Sequence, residues 1–189
     1  MEQKDLLDIL HTAERLKDTT RHSYTSGGRH ESVAEHSWRL SLMAFLIKDE
    51  YPGLDMDKVI KMCLIHDLGE AFTGDIPAFI KTDSDVRREE MLLSSWVESL
   101  PEKLSAEMHS LYSEMDALET DEAKLYKSLD KLEALIQHNE ADISTWSDNE
   151  YELNFIYGAE NCRFSEYTEK FRAVVNEECR EKIRREKAQ

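Results

Sequence analysis

The stretch "CLIHDLGEAFTGDIP", Cys63 to Pro77, joins an apolar run to a cluster of side chains that resist burial. Val59 to Ile65 is almost entirely apolar; His66–Asp67 follows at once, with Glu70 and Asp75 close behind. A helix from Lys58 to about Leu68, apolar on most sides, is expected to be the central buried one. Glu70 lies four residues after His66 and three after Asp67. A continuing helix would therefore project all three from neighbouring surfaces of its C-terminal end. Carboxylates there meet the negative end of the helix dipole and are mildly disfavoured. A divalent cation held between them reverses that cost, and so does plain exposure to water.

Outward from this run the chain reads as helices. Leu6, Leu7, Leu10, Ala13 and Leu16 recur at helical spacing, giving a helix over residues 3–17. "KDTTRHSYTSGGRHE" breaks the pattern and reads as a loop carrying Arg21, His22, Arg29 and His30. Ser32 and Glu35 form a capping-box pattern. The helix they open reaches about Glu50, with His36, Leu40, Met43 and Ile47 on one face. "TGDIPAF" is a turn-rich loop. Three more helices are expected: Asp85 to Ser99 with Met91, Leu92 and Trp96 inward, one opened by Pro101, and Thr120 to Asn139. Ser147 with Glu150 is a further capping pattern, and Ser165 to Gln189 a helix with a charged end free to fray. No segment alternates like a strand. The expectation is all-α: a compact single-domain bundle of about seven or eight helices over residues 1–189. Its metal-site core covers about residues 15–140, and residues 141–189 pack on it as C-terminal helices.

The 189 residues carry a formal charge of −16, which excludes polymeric nucleic acid as a partner. A small anion can bind only where arginine, lysine or a metal makes the surface locally positive. Cys63, Cys162 and Cys179 form no paired framework. No apolar run approaches the ~20 residues of a membrane span, and the N-terminal segment is acidic and amphipathic, so no membrane and a cytoplasmic location are expected.

His36 begins an inward face, and His66 is a second imidazole at the end of the buried helix. Two imidazoles and a carboxylate from crossing helices suit a mixed N/O metal site. Asp130 in "LYKSLDKLEAL" is a candidate fourth ligand, although periodicity does not select it over Asp121 or Glu133.

His36, His66–Asp67 and Asp130 together resemble the H…HD…D signature of HD-domain metal-dependent phosphohydrolases. "RHESVAEHSWRLSLMA", "HDLGEAFTGDIP" and "SLDKLEALIQ" are similar to the HD-domain 5′-deoxynucleotidases, over about residues 15–140. The resemblance implies a metal-dependent phosphomonoester hydrolase acting on nucleoside 5′-monophosphates. His36, His66, Asp67 and Asp130 would hold one divalent ion, with Mn²⁺, Co²⁺, Fe²⁺ and Ni²⁺ all suitable. Glu70 would orient or deprotonate the attacking water. Asp75 would serve the leaving 5′ oxygen or the 3′-hydroxyl, and Arg21 would orient the phosphate. The expected substrate wall comprises Arg21, His22, His36, Asp67, Glu70, Asp75, Ile76 and Pro77. Relatives of this kind are often dimers, so a homodimer is expected, and Trp146, Tyr151, Phe155 and Tyr157 are either core or its face. His22 departs from the family pattern, because some relatives carry there a tryptophan associated with excluding a ribose 2′-hydroxyl.

Two other readings stand beside this one. Another HD-type nucleotide phosphohydrolase or phosphodiesterase is one. Alarmone hydrolases resemble HD-x-x-E-D, whereas Ala71 follows Glu70 here. Two-metal HD enzymes need further histidines, and only His109 and His138 follow, in surface-like contexts. The other reading is a non-catalytic, metal-stabilised helical module, which has no use for Glu70.

Overall fold

The computed structural model describes residues 1–77 and 80–187; residues 78 and 79 of the "TGDIPAF" loop and the last two of the expected C-terminal helix lie outside them. Eight helices of seven residues or more are present among the described residues: α1 Gln3–Glu14, α2 Val33–Leu46, α3 Met56–Ile65, α5 Asp83–Glu98, α6 Glu102–Ala117, α7 Asp121–Glu140, α8 Glu150–Ile156 and α10 Glu166–Lys187. Two four-residue turns of helix, α4 Glu70–Thr73 and α9 Ala159–Cys162, complete the set. None of these helices is long and apolar enough to cross a membrane.

The core forms where α2, α3 and α7 cross. Leu40 and Ala44 of α2, Val59, Met62 and Cys63 of α3, and Leu125, Leu129 and Leu132 of α7 are all fully buried. Each helix begins on a side-chain cap. Ser32 and Glu35 form the expected capping box of α2, Asp55 accepts from Lys58 N–H at the start of α3, and Thr120 does so from Ala123 for α7.

The expected α3 end at Leu68 is corrected to Ile65. Two of its terminal carbonyls find side-chain donors: His66 Nδ1–H donates to Cys63 O at 2.9 Å, and Tyr112 O–H donates to Ile65 O at 2.7 Å. The chain then turns through His66–Gly69 into α4, so His66, Asp67 and Glu70 sit on a turn rather than one continuous helix face.

The loop expected before α2 is a β-hairpin, β1 Thr20–Tyr24 and β2 His30–Ser32, paired antiparallel with an irregularity between Thr20 and Tyr24. Its strands are too short and polar to show alternation. Contact with α7, where Gln137 Nε2 donates to Tyr24 O at 2.6 Å, gives the hairpin a packed side.

Two predicted apolar faces differ. Met91 is exposed, because α5 buries Val97 most deeply, and six residues at 3.6 per turn place Met91 about 120° away. Leu6, Leu7 and Leu10 are exposed as well; α1 stops at Glu14 and a 3₁₀ turn, Arg15–Lys17, seats Leu16 instead. In the C-terminal third, Trp146 packs with Ile143, Cys179, Tyr151, Phe155 and Ile183, while Tyr157 joins the main core. The aromatic cluster therefore packs as core, with Tyr151, Phe155 and Tyr157 partly buried.

Candidate active site and metal centre

The crossing of α2, α3 and α7 brings all four predicted metal ligands together. His36 Nε2 lies 3.2 Å from His66 Nε2, 3.8 Å from Asp67 Oδ2 and 3.4 Å from Asp130 Oδ1. His66 Nε2 is 2.9 Å from Asp67 Oδ2 and 3.9 Å from Asp130 Oδ1. Metal–ligand bonds of ~2.1 Å place neighbouring donor atoms about 3.0 Å apart in an octahedron and about 3.4 Å apart in a tetrahedron. The observed spacings bracket both values.

Hydrogen bonding on the far side of each ring strengthens the fit. His66 Nδ1–H is committed to the Cys63 carbonyl. His36 Nδ1–H donates to the wholly buried Glu133, which also accepts from Arg39 Nε at 2.6 Å. Burial acts to raise the Glu133 pKa, but His36 and Arg39 outweigh it and keep the carboxyl below its ordinary value. Both Nε2 atoms therefore turn lone pairs toward each other, an arrangement that demands a proton or a metal cation between them. The same demand shows in His36. Burial and Arg21 pull its pKa down, Glu133 and Asp130 push it up, and the balance lifts it to about 10.

The two carboxylates stay ionised. Burial opposes this for Asp67, but His66, His36 and Arg21 hold its pKa well below the usual range. Burial is overcome for Asp130 by Lys131 and Lys127, whose Nζ atoms sit 3.1 and 3.0 Å from Oδ2 while Oδ1 faces the histidines. A second convergence of Glu31, His36 and Glu133 lies behind the ring. Arginines already meet both of its carboxylates: Arg21 Nε is 3.1 Å from Glu31, and Arg39 holds Glu133.

Glu70 is buried at the start of α4, and its Oε2 has no hydrogen-bond partner among the described residues. Burial, Asp67 and Asp75 together push its pKa up to about 9. Asp75 is also raised, first by burial; Arg21 opposes the shift and Asp67 adds to it. Arg21 reaches Asp67 Oδ2 with Nη1 at 3.5 Å. Arg29, by contrast, forks onto Glu35 at the surface and braces the α2 cap.

These groups line one cleft of about 240 Å³, far more than the roughly 30 Å³ share of a single water. Arg21, His22, Asp67, Glu70, Asp75, Ile76 and Pro77 all line it. His36 sits below the cleft surface, fully buried beneath Asp67 and Asp130. Sequence reasoning missed Lys81, Lys127 and Lys131, which also line the cleft, and Glu133 behind the metal donors. It also placed His138 at the surface, whereas α8 covers it and it is buried. The signal for the lysines was present: Lys127 and Lys131 bracket Asp130 on one helix turn.

Residues 13–172 match the model of the HD domain. The chain belongs to the HD-domain family. Its HD-domain relatives include the human protein named 5′-deoxynucleotidase HDDC2, 36% identical over 141 residues, covering 72% of this chain and 68% of that one. Among solved HD-domain structures, a Magnetospirillum magnetotacticum protein described as a predicted metal-dependent phosphohydrolase superposes with a TM-score of 0.77 at 27% identity, covering 96% of this chain and 95% of the other. An HD phosphohydrolase of cyanophage S-2L, described as bound to dA and one catalytic Zn²⁺, shares the fold with a TM-score of 0.56 at 18% identity, over 98% of each chain. The present HD-domain chain is an enzyme of the metal-dependent phosphohydrolase kind, and its donor set fits a divalent ion.

Proposed function

We propose that the enzyme hydrolyses nucleoside 5′-monophosphates, with deoxyribonucleotides as the principal substrates, releasing inorganic phosphate and the nucleoside. The carrying observation is that donor atoms from α2, the end of α3 and the middle of α7 converge beside a buried carboxylate, Glu70, whose Oε2 has no partner among the described residues. A purely structural ion needs no such neighbour. The human relative's name and the local sequence likeness support the substrate class.

When bound to His36, His66, Asp67 and Asp130, a divalent ion supplies a Lewis acid that acidifies water and offsets phosphate charge. Mn²⁺, Co²⁺, Fe²⁺ and Ni²⁺ all suit two imidazoles and two carboxylates. Arg21 meets the phosphate oxygens, and its bonds to Glu31 and Asp67 hold the guanidinium in place. Lys127 and Lys131 add positive charge at the same end of an otherwise acidic protein. Glu70 orients the attacking water and takes its proton at Oε2. Asp75, whose pKa burial raises, stands in the same cleft and gives a proton to the departing 5′ oxygen as the P–O bond breaks. His22, Ile76 and Pro77 wall the sugar.

The deciding assay is phosphate release from a panel of deoxy- and ribonucleoside 5′-monophosphates, with and without added Mn²⁺ or Co²⁺. Metal-dependent release with deoxyribonucleotides preferred is expected. Zero turnover at full metal occupancy overturns the reading. The exposed outer face of α2, Trp38, Leu42, Phe45 and Leu46, with Leu64 of α3, supports pairing of two copies. Light scattering should then give twice the chain mass, falling to one in Phe45→Glu.

A further inference from the structure

The cleft continues past the phosphate end, and its far end has chemistry that the hydrolytic reading leaves unused. Asp130, Ala134 and His138 stand at successive four-residue steps of α7, and all three line the cleft. At 1.5 Å per residue, Asp130 to His138 spans about 12 Å along the helix. That is the reach of a nucleoside 5′-monophosphate from its phosphorus to the outer edge of its base. The cations Arg21, Lys127 and Lys131 gather at the Asp130 end, which fixes where the phosphate goes. Ala134, midway, is small enough to leave the floor open for the sugar.

We infer that the pocket between α7, α8 and β1, built by His138, Leu153 and Asn154 and braced by Glu150, is the nucleobase subsite. It combines an apolar surface with a few convergent polar groups, the usual make-up of a small-molecule site. The apolar part is Leu135 and Leu153. The polar part is ordered by a chain of hydrogen bonds. Asn154 Nδ2 donates to His138 Nδ1 at 2.9 Å, so His138 carries its proton on Nε2 and donates it to Glu150 Oε1 at 3.1 Å. Burial lowers the His138 pKa and outweighs the opposing pull of Glu150. His22 Nε2 lies 2.8 Å from the same oxygen. Glu150 Oε2 accepts from the Ser147 backbone N–H at 2.7 Å and its hydroxyl at 2.6 Å. Glu150 and both His138 nitrogens are thus engaged as a brace, which leaves Asn154 Oδ1 to accept from a base edge beside the apolar walls of Leu135 and Leu153.

This inference rests on the nucleotide reading above, and the experiment separates the two. The substrates are the four common deoxyribonucleoside 5′-monophosphates and deoxyribose 5-phosphate, which keeps phosphate and sugar but has no base. Free deoxynucleosides are titrated into metal-free protein by calorimetry as a readout independent of turnover. Leu153→Trp should lower kcat/KM for the nucleotides by about tenfold or more, mainly through KM, relative to deoxyribose 5-phosphate. Asn154→Ala should reorder the four bases by roughly tenfold, the worth of one buried hydrogen bond. Both variants should weaken deoxynucleoside binding. Equal changes with and without the base, or unchanged base order together with unchanged deoxynucleoside affinity, overturn the subsite. A wild-type protein that binds deoxynucleosides through these residues yet releases no phosphate overturns the hydrolase reading and leaves the subsite standing.

Discussion

The two sides of the cleft are built differently. On one side His36, Asp130 and Glu133 rise from long helices whose other faces form the core, and each of these three side chains is braced by a charged partner. On the other, Glu70, Asp75, Ile76 and Pro77 sit on a four-residue helix and the turn after it, and Glu70 keeps an oxygen without a partner. Metal donors must hold their spacing to within a few tenths of an ångström, which packed helices provide. Groups that meet water and substrate need unfilled hydrogen-bonding capacity, which a packed core does not tolerate.

The sharpest break of this contrast is Asp67→Ala, which removes a carboxylate that pairs with Arg21 and that we propose as a metal donor. It should abolish both metal retention and turnover, read by metal analysis after gel filtration. Glu70→Ala should keep the metal and lose ~10²–10⁴ in kcat, the usual worth of an acid–base group. Loss of metal in that variant would move Glu70 to the donor side.

The pH profile sharpens the same point. A base must be deprotonated, so kcat/KM should rise with pH through the Glu70 pKa. Burial, Asp67 and Asp75 set that value at about 9, and a dication nearby lowers it. The rising limb should therefore centre below 9 in the metal-loaded enzyme and vanish in Glu70→Gln. A limb that survives the substitution assigns it to another group.

Glu133→Gln tests the braced side. It keeps the shape but weakens the hold on the His36 Nδ1–H, and should cost about 10–100-fold in metal affinity with kcat at saturating metal little changed. Gly158→Ala should have the smallest effect on the chemistry and act on stability instead. Its φ of +66° lies in the left-handed region, and an added Cβ would press on the Lys131 side chain. A melting-point loss equivalent to more than the ~1–2 kcal/mol of the dihedral alone is expected, because that Cβ would overlap Lys131 Cβ, with metal binding kept.

The helices and their starts were readable because periodicity and capping are local. Ser32–Glu35 forms the capping box its spacing implies; Ser147 does donate to Glu150, but α8 starts two residues later than that spacing implies, after Asn149 and without a side-chain cap. The choice between Asp130 and Glu133 was not local. Three residues at 100° each put them only about 60° apart on α7, so both face inward. Which meets the ion and which meets the back of His36 depends on where α2 crosses. His138 looked exposed because polar neighbours follow it, and only the return of α8 buries it. The hairpin of residues 20–32 was hidden for a similar reason: its inward side exists only against α7.

Glu150 carries a consequence for how this enzyme can change. One carboxylate oxygen ties down Ser147 in the connector before α8 and the other anchors two histidines of the cleft. Lengthening or trimming the segment just before Ser147 would shift that anchor while leaving the reaction centre where it is. Substrate range in this scaffold is therefore open to insertions and deletions in a connector, a route to divergence that needs no mutation among the reacting groups.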